Sequence, residues 1–67
     1  MMYTPLTTLK GVNNHYRIAL ENIGVDSVEA LTNLIYNDLK KVKGLGTIGR
    51  IELNRALNEM GLKLKEG

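Results

Sequence analysis

Cysteine is absent from this 67-residue chain, which excludes a disulfide framework and any thiolate metal site. Dispensing with cysteine suits a reducing compartment, so the cytoplasm is the expected location. Phenylalanine and tryptophan are also missing, leaving three tyrosines as the aromatic complement. A core must therefore be built from aliphatic side chains. Long apolar runs are lacking too: Leu34-Ile35-Tyr36 falls far below the roughly 20 residues of a membrane-spanning helix. The start, Met1-Met2-Tyr3-Thr4-Pro5, has neither a basic stretch nor an apolar stretch of the kind that marks an export signal, so neither export nor membrane insertion is expected. Histidine occurs once, at His15, and Glu21 and Glu52 stand at no recognisable ligand spacing from it, so no metal site and no cofactor is expected. Paired nucleophile and base are missing, and a chain this short buries only about 60% of its unfolded surface, which leaves no room for a sizeable cleft. Enzymatic activity is not expected.

What the chain does have is glycine, and positive charge gathered around it. Val42-Lys43-Gly44-Leu45-Gly46-Thr47-Ile48-Gly49-Arg50 reads as a tight hairpin opening onto a helix. Such a turn leaves backbone N–H groups without intrahelical partners, presents the positive end of a helix dipole, and removes the Cβ atoms that would hold a phosphate at a distance. Residues 1–39 carry two basic and four acidic side chains, whereas residues 40–55 carry five basic and one acidic. The positive field thus surrounds the hairpin. Lys40, Lys41 and Lys43 would also suit a solvated helix C-terminus, where cations complement the dipole. The spacing of Gly44, Gly46 and Gly49 does not make a dinucleotide site, because no long strand precedes it.

Residues 1–11, with Pro5, three threonines and Gly11, show no helical period and read as an extended arm; residues 12–67 read as a single all-α domain. A first helix is capped by Asn13 or Asn14 and runs to about Asn22, with Tyr16, Ala19, Leu20 and Ile23 on its inner face and Gly24 as its stop. Asp26 and Glu29 have the spacing of a capping box for a second helix that buries Val28, Leu31 and Leu34. A third helix spans Tyr36 to Val42, with Leu39 and Val42 inward and Tyr36 claimed by the core. Thr47 caps the last helix, in which Leu53, Ala56, Leu57 and Met60 share a face and Gly61 ends it. Leu62 and Leu64 are expected to fold back onto the bundle. Leu20-x-x-Ile23-Gly24-Val25-x-x-Val28-x-x-Leu31 is echoed by Leu39-x-x-Val42-Lys43-Gly44-Leu45-x-x-Ile48-x-x-Ile51, one residue longer, which implies two helix-hairpin-helix units and a core position for Ile51.

Leu20 to Leu31, Asp38 to Gly46 and Asn58 to Leu64 together resemble the C-terminal domain of the bacterial RNA polymerase α subunit, a variant of the helix-hairpin-helix fold. The resemblance runs without gaps from about Leu20 to Leu64. It implies a compact four-helix domain that binds A/T-rich double-stranded DNA through the minor groove and backbone, and that touches RNA polymerase components and transcription regulators. Carried over by position, the phosphate-facing glycine of the family falls on Gly46 and an acidic residue of the last helix's first turn on Glu52. The minor-groove arginine falls on His15, the nearby asparagine on Ile18, the hairpin lysine on Ile48 and the hairpin serine on Gly49. An alkyl group neither pairs with phosphate nor donates to a base edge, so much of the groove-reading chemistry is gone.

Two functions remain open at this point. In the first, Lys43, Gly44, Gly46, Thr47, Gly49 and Arg50, with His15 and Arg17, grip duplex backbone with little sequence preference. In the second, Ile18 and Ile48 form an apolar contact for a protein partner or a homodimer, and DNA binding is lost.

Overall fold

The computed structural model describes residues 3–66, which form an all-α domain of four helices: α1 (Asn14–Glu21), α2 (Val28–Thr32), α3 (Tyr36–Lys40) and α4 (Gly46–Glu59). Helices of five residues, as α2 and α3 are, do not persist alone in water. Burial holds them: Leu20, Leu31, Leu39 and Leu57 are fully buried, and Leu53, Leu45 and Val28 nearly so.

Helix boundaries follow local chemistry. The Asn13 side chain accepts from the His15 N–H and starts α1. Gly24, at φ 88°, ends it: its N–H bonds the Glu21 carbonyl (3.0 Å) while the Val25 N–H reaches back to Leu20 (3.0 Å). The same closure ends α4, with Gly61 at φ 77° bonding Asn58 (3.0 Å) and Leu62 bonding Leu57 (2.8 Å). This closure turns the residue before each glycine outward. Ile23 is 51% exposed and Met60 is 39% exposed, so neither joins the inner face expected of it. Val25 and Leu64 enter the core in their place, and Leu62 stays 38% exposed.

Two expected caps are corrected. Ser27, not Asp26, caps α2 by accepting from the Ala30 N–H (3.1 Å), because the chain is still extended at Ser27 and α2 begins one residue later. Thr47 does not cap α4: the helix begins at Gly46 with Leu45 at its N-cap position, which puts Thr47 inside the first turn, where its hydroxyl accepts from Arg50 instead (3.1 Å). At α3 the Asp38 carboxylate reaches back to the Ile35 N–H (3.1 Å).

The expected extended arm is also corrected. Its first two residues lie outside those described, but Leu6–Thr8 form a 3-10 turn, and Leu6 and Leu9 lie in the core because the small bundle leaves an apolar face for them to cover. Hydrogen bonds fasten this segment to α2. The Val28 N–H bonds the Thr4 carbonyl (2.8 Å), and the Glu29 carboxylate accepts from the Thr4 N–H (2.7 Å) and hydroxyl (2.6 Å). Glu29, expected to complete a capping box, thus serves as a clamp. At the other end of the chain the Lys65 N–H bonds the Leu34 carbonyl (3.0 Å).

Hydrogen bonding from the Thr4 hydroxyl and then the Thr4 N–H holds the Glu29 carboxyl below its ordinary pKa. A carboxylate so lowered adds stability above its unfolded pKa, and that contribution is lost as pH falls through the folded value. Thermal unfolding below about pH 4.3, the ordinary glutamate value, is therefore expected to depend more steeply on pH in the wild type than in Glu29→Gln. Matching pH profiles would remove the clamp from the account.

Candidate nucleic-acid interface

The glycine turn between α3 and α4 is built from the inside outward. Val42 and Leu45 are buried, and the Leu45 N–H closes the turn on the Val42 carbonyl (3.3 Å). Lys43, Gly44, Gly46 and Thr47 are left on the surface. Gly44 (φ 90°) and Gly46 (φ 68°) take backbone angles that L side chains rarely adopt, which is why a turn this short reads Gly-Leu-Gly. No side chain caps α4. Among the described residues, the Gly46, Thr47 and Ile48 N–H groups find no acceptor in a cap, turn or loop, as expected of a first helical turn open to solvent. The space a Cβ would take at Gly46 is empty to 4 Å.

His15 stands beside this turn. It lines one open depression with Gly44, Gly46, Thr47 and Ile48, over a floor of Tyr16 and Leu45, and its ring meets that of Tyr16 edge-on at 6.2 Å. Five residues singled out from the sequence thus come together, and Lys43 lies exposed in the same turn. Ile48 is 65% exposed and helps line the depression, whereas Ile18, also exposed, is outside its lining.

Three other candidates lie elsewhere. Gly49 is buried, and a Cβ there would come within 2.8 Å of Leu45 Cδ1 and 2.9 Å of Tyr16 Cδ1, so this glycine admits close packing and presents nothing to a ligand. Arg17 bonds Asn14 and forms an ion pair with Glu21 (3.0 Å), and it lines a separate depression with Leu6, Leu9 and Val12. Its charge is answered along its own helix. Arg50 turns from the glycine loop toward α3: one Nη donates to Thr47, and the guanidinium carbon lies 5.8 Å from the centre of the Tyr36 ring.

Two side chains assigned to the core are exposed, Tyr36 at 40% and Ile51 at 48%. The echo between the two halves explains the second error. Gly24-Val25 and Gly44-Leu45 do match, each a positive-φ glycine followed by a buried apolar residue. After that pair the first half stays extended through Ser27, while the second enters α4 at once. Helical register is thereby offset, so Val28 and Leu31 point inward and Ile48 and Ile51 outward.

No group of three or more metal-ligating side chains occurs among the described residues, and no described helix is long and apolar enough to cross a membrane. No family model matches the chain. The DNA-directed RNA polymerase subunit alpha of Deinococcus radiodurans is 40% identical to it over 65 residues. That match takes in 94% of this chain but only 19% of the longer protein. Over nearly its whole length the chain is therefore similar to one part of an RNA polymerase α subunit, and its sequence and four-helix fold are consistent with a domain like the C-terminal domain of that subunit.

Proposed function

We propose that this chain is a non-enzymatic module of transcription in the cytoplasm, binding duplex DNA along the backbone and minor groove through the turn before α4. The observation that carries this reading is the set of unpartnered N–H groups of Gly46, Thr47 and Ile48, open to solvent beside exposed Lys43 and His15. Phosphate fits such a helix start because the donors and the dipole act together. Arg17, Gly49 and Arg50, which faces α3, take no part. Loss of the family's arginine and lysine, replaced by His15 and Ile48, leaves backbone contacts dominant, so specificity is low and A/T-rich DNA is preferred only through groove shape.

Titration with a short A/T-rich duplex tests this. If about three phosphates are neutralised, affinity falls about 40-fold between about 50 and about 200 mM salt. Lys43→Gln is expected to flatten the logarithmic salt slope by about one unit, while Arg17→Gln leaves it unchanged. Absence of binding at low salt would overturn the reading. Gly46→Ala is expected to cost about 1–2 kcal/mol of stability through its positive φ, and to lose DNA affinity because the new Cβ stands where phosphate would approach. Unchanged affinity in that variant would remove the turn from the interface.

One observation favours a second reading. Ile48, 65% exposed, is apolar where a DNA surface would be polar, which suits contact with a regulator, with polymerase or with a second copy of the chain. A dimer in solution that Ile48→Glu disrupts, with no DNA binding, would favour it.

A further inference from the structure

The groove between α3 and α4 shares no lining residue with the depression at the glycine turn. Its walls are Tyr36, Ile51, Asn54, Arg55, Asn58 and Glu59. Ile51, Asn54, Arg55 and Asn58 follow the three- and four-residue spacing of one helix face. Tyr36 and Ile51 give it an exposed apolar floor. Lys40 Nζ and the Arg50 guanidinium carbon each lie 5.8 Å from the Tyr36 ring centre, so one aromatic ring gathers two cations.

Among the described residues, the ion pairs are Arg17–Glu21 and Lys63–Glu66, so Lys40, Arg50 and Arg55 have no carboxylate partner among those residues. From this convergence we infer that the groove docks an acidic, partly apolar segment of a protein partner, independently of the DNA surface.

Charge complementarity selects the occupant. Arg55 in the groove wall, with Lys40 and Arg50 beside the Tyr36 ring at its end, outweighs the one lining carboxylate, Glu59, and calls for carboxylates. Tyr36 and Ile51 call for an apolar side chain between those carboxylates, which a phosphate backbone does not have. Asn54 and Asn58, four residues apart, can each donate to and accept from the main chain of an extended peptide. Glu59 closes one end and would repel a continuous polyanion.

The test uses the whole chain and a fluorescein-labelled peptide of about eight residues, Glu alternating with Leu, which at about 3.3 Å per residue exceeds the roughly 12 Å between Ile51 and Glu59 on α4. Anisotropy is expected to show salt-sensitive binding, weakened at least about tenfold by Arg55→Glu or by Gln in place of the peptide's Glu. Amide shifts are expected at Ile51, Asn54 and Asn58 and not at Gly44 to Ile48. Tyr36→Ala, at an exposed position, is expected to weaken the peptide and leave the affinity for duplex DNA intact. Four results would each overturn the inference: equal binding of the Gln peptide, shifts confined to the glycine turn, duplex DNA occupying the groove, or groove shifts that grow with protein concentration in the absence of peptide. Failure of DNA binding at the turn would leave the inference standing.

Discussion

Gly49→Val is expected to destabilise the domain by about 3 kcal/mol or more, enough to leave much of it unfolded, since a core of this size supplies only about 3–5 kcal/mol. The first added carbon already falls 2.8 Å from Leu45 Cδ1 and 2.9 Å from Tyr16 Cδ1. Neither neighbour can easily give way: Leu45 is 2% exposed and Tyr16 packs against the same core. Gly49→Ala is the sharper version. In an exposed helix interior this change stabilises by about 1 kcal/mol, because alanine is the better helix former. Here overpacking of about 1–3 kcal/mol opposes that gain, and a net loss is expected. Denaturant unfolding measures it, and a double-mutant cycle with Tyr16→Ala is expected to be non-additive because the two groups touch. A stabilised Gly49→Ala would show that α4 and Tyr16 do not meet as described. DNA affinity per folded molecule is expected to stay unchanged, which separates a packing glycine from one that faces phosphate.

Leu45→Ala is expected to cost about 2–5 kcal/mol, whereas Ile48→Ala, three residues along, stays within about 0.5 kcal/mol. The difference is burial, at 2% exposure for Leu45 and 65% for Ile48. Leu45 sits between two positive-φ glycines and anchors the turn into the core, so truncating it leaves a cavity under Gly44 and Gly46. Truncating Ile48 removes surface that water already covers. DNA affinity is expected to fall with Leu45→Ala even under conditions where the variant remains folded, since the amides of Gly46 and Thr47 need that anchor to hold their direction. Equal costs for the two variants, read from midpoints in denaturant at constant slope, would contradict the assignment of Leu45 as core and Ile48 as surface.

Legibility varied with the range of the interaction involved. A cap for α1 at Asn13 or Asn14, of which Asn13 serves, and Gly24 and Gly61 as helix stops were readable because caps and positive-φ turns are decided within a few residues. Glu29 was misread because its partner, Thr4, is 25 residues away, and a short-range spacing with Asp26 offered a plausible substitute. Gly49 carried the same local signal as Gly44 and Gly46. What distinguishes it is the ring of Tyr16 against its Cα, a contact between α1 and α4 that no spacing reveals. The exposed Tyr36 and the groove beside it were missed because an aromatic residue in a short amphipathic helix is usually drawn inward. Lys40 four residues later was the available hint, since that spacing places a cation beside the ring.

Composition and periodicity alone determined an all-α domain without disulfides, four short helices with most of their inward residues, and a cationic glycine turn before the last helix. These are consequences of local backbone preference and of the need to bury every third or fourth side chain. Tertiary structure decided which of the glycines presents its backbone and which packs, that Leu6 and Leu9 complete the core, and that Arg17 and Arg50 turn away from the turn while His15 stands beside it. Those outcomes depend on how α1, α3 and α4 meet. In a bundle this small, an offset of one residue at the start of a helix moves each side chain by about 100° around its axis, from core to solvent.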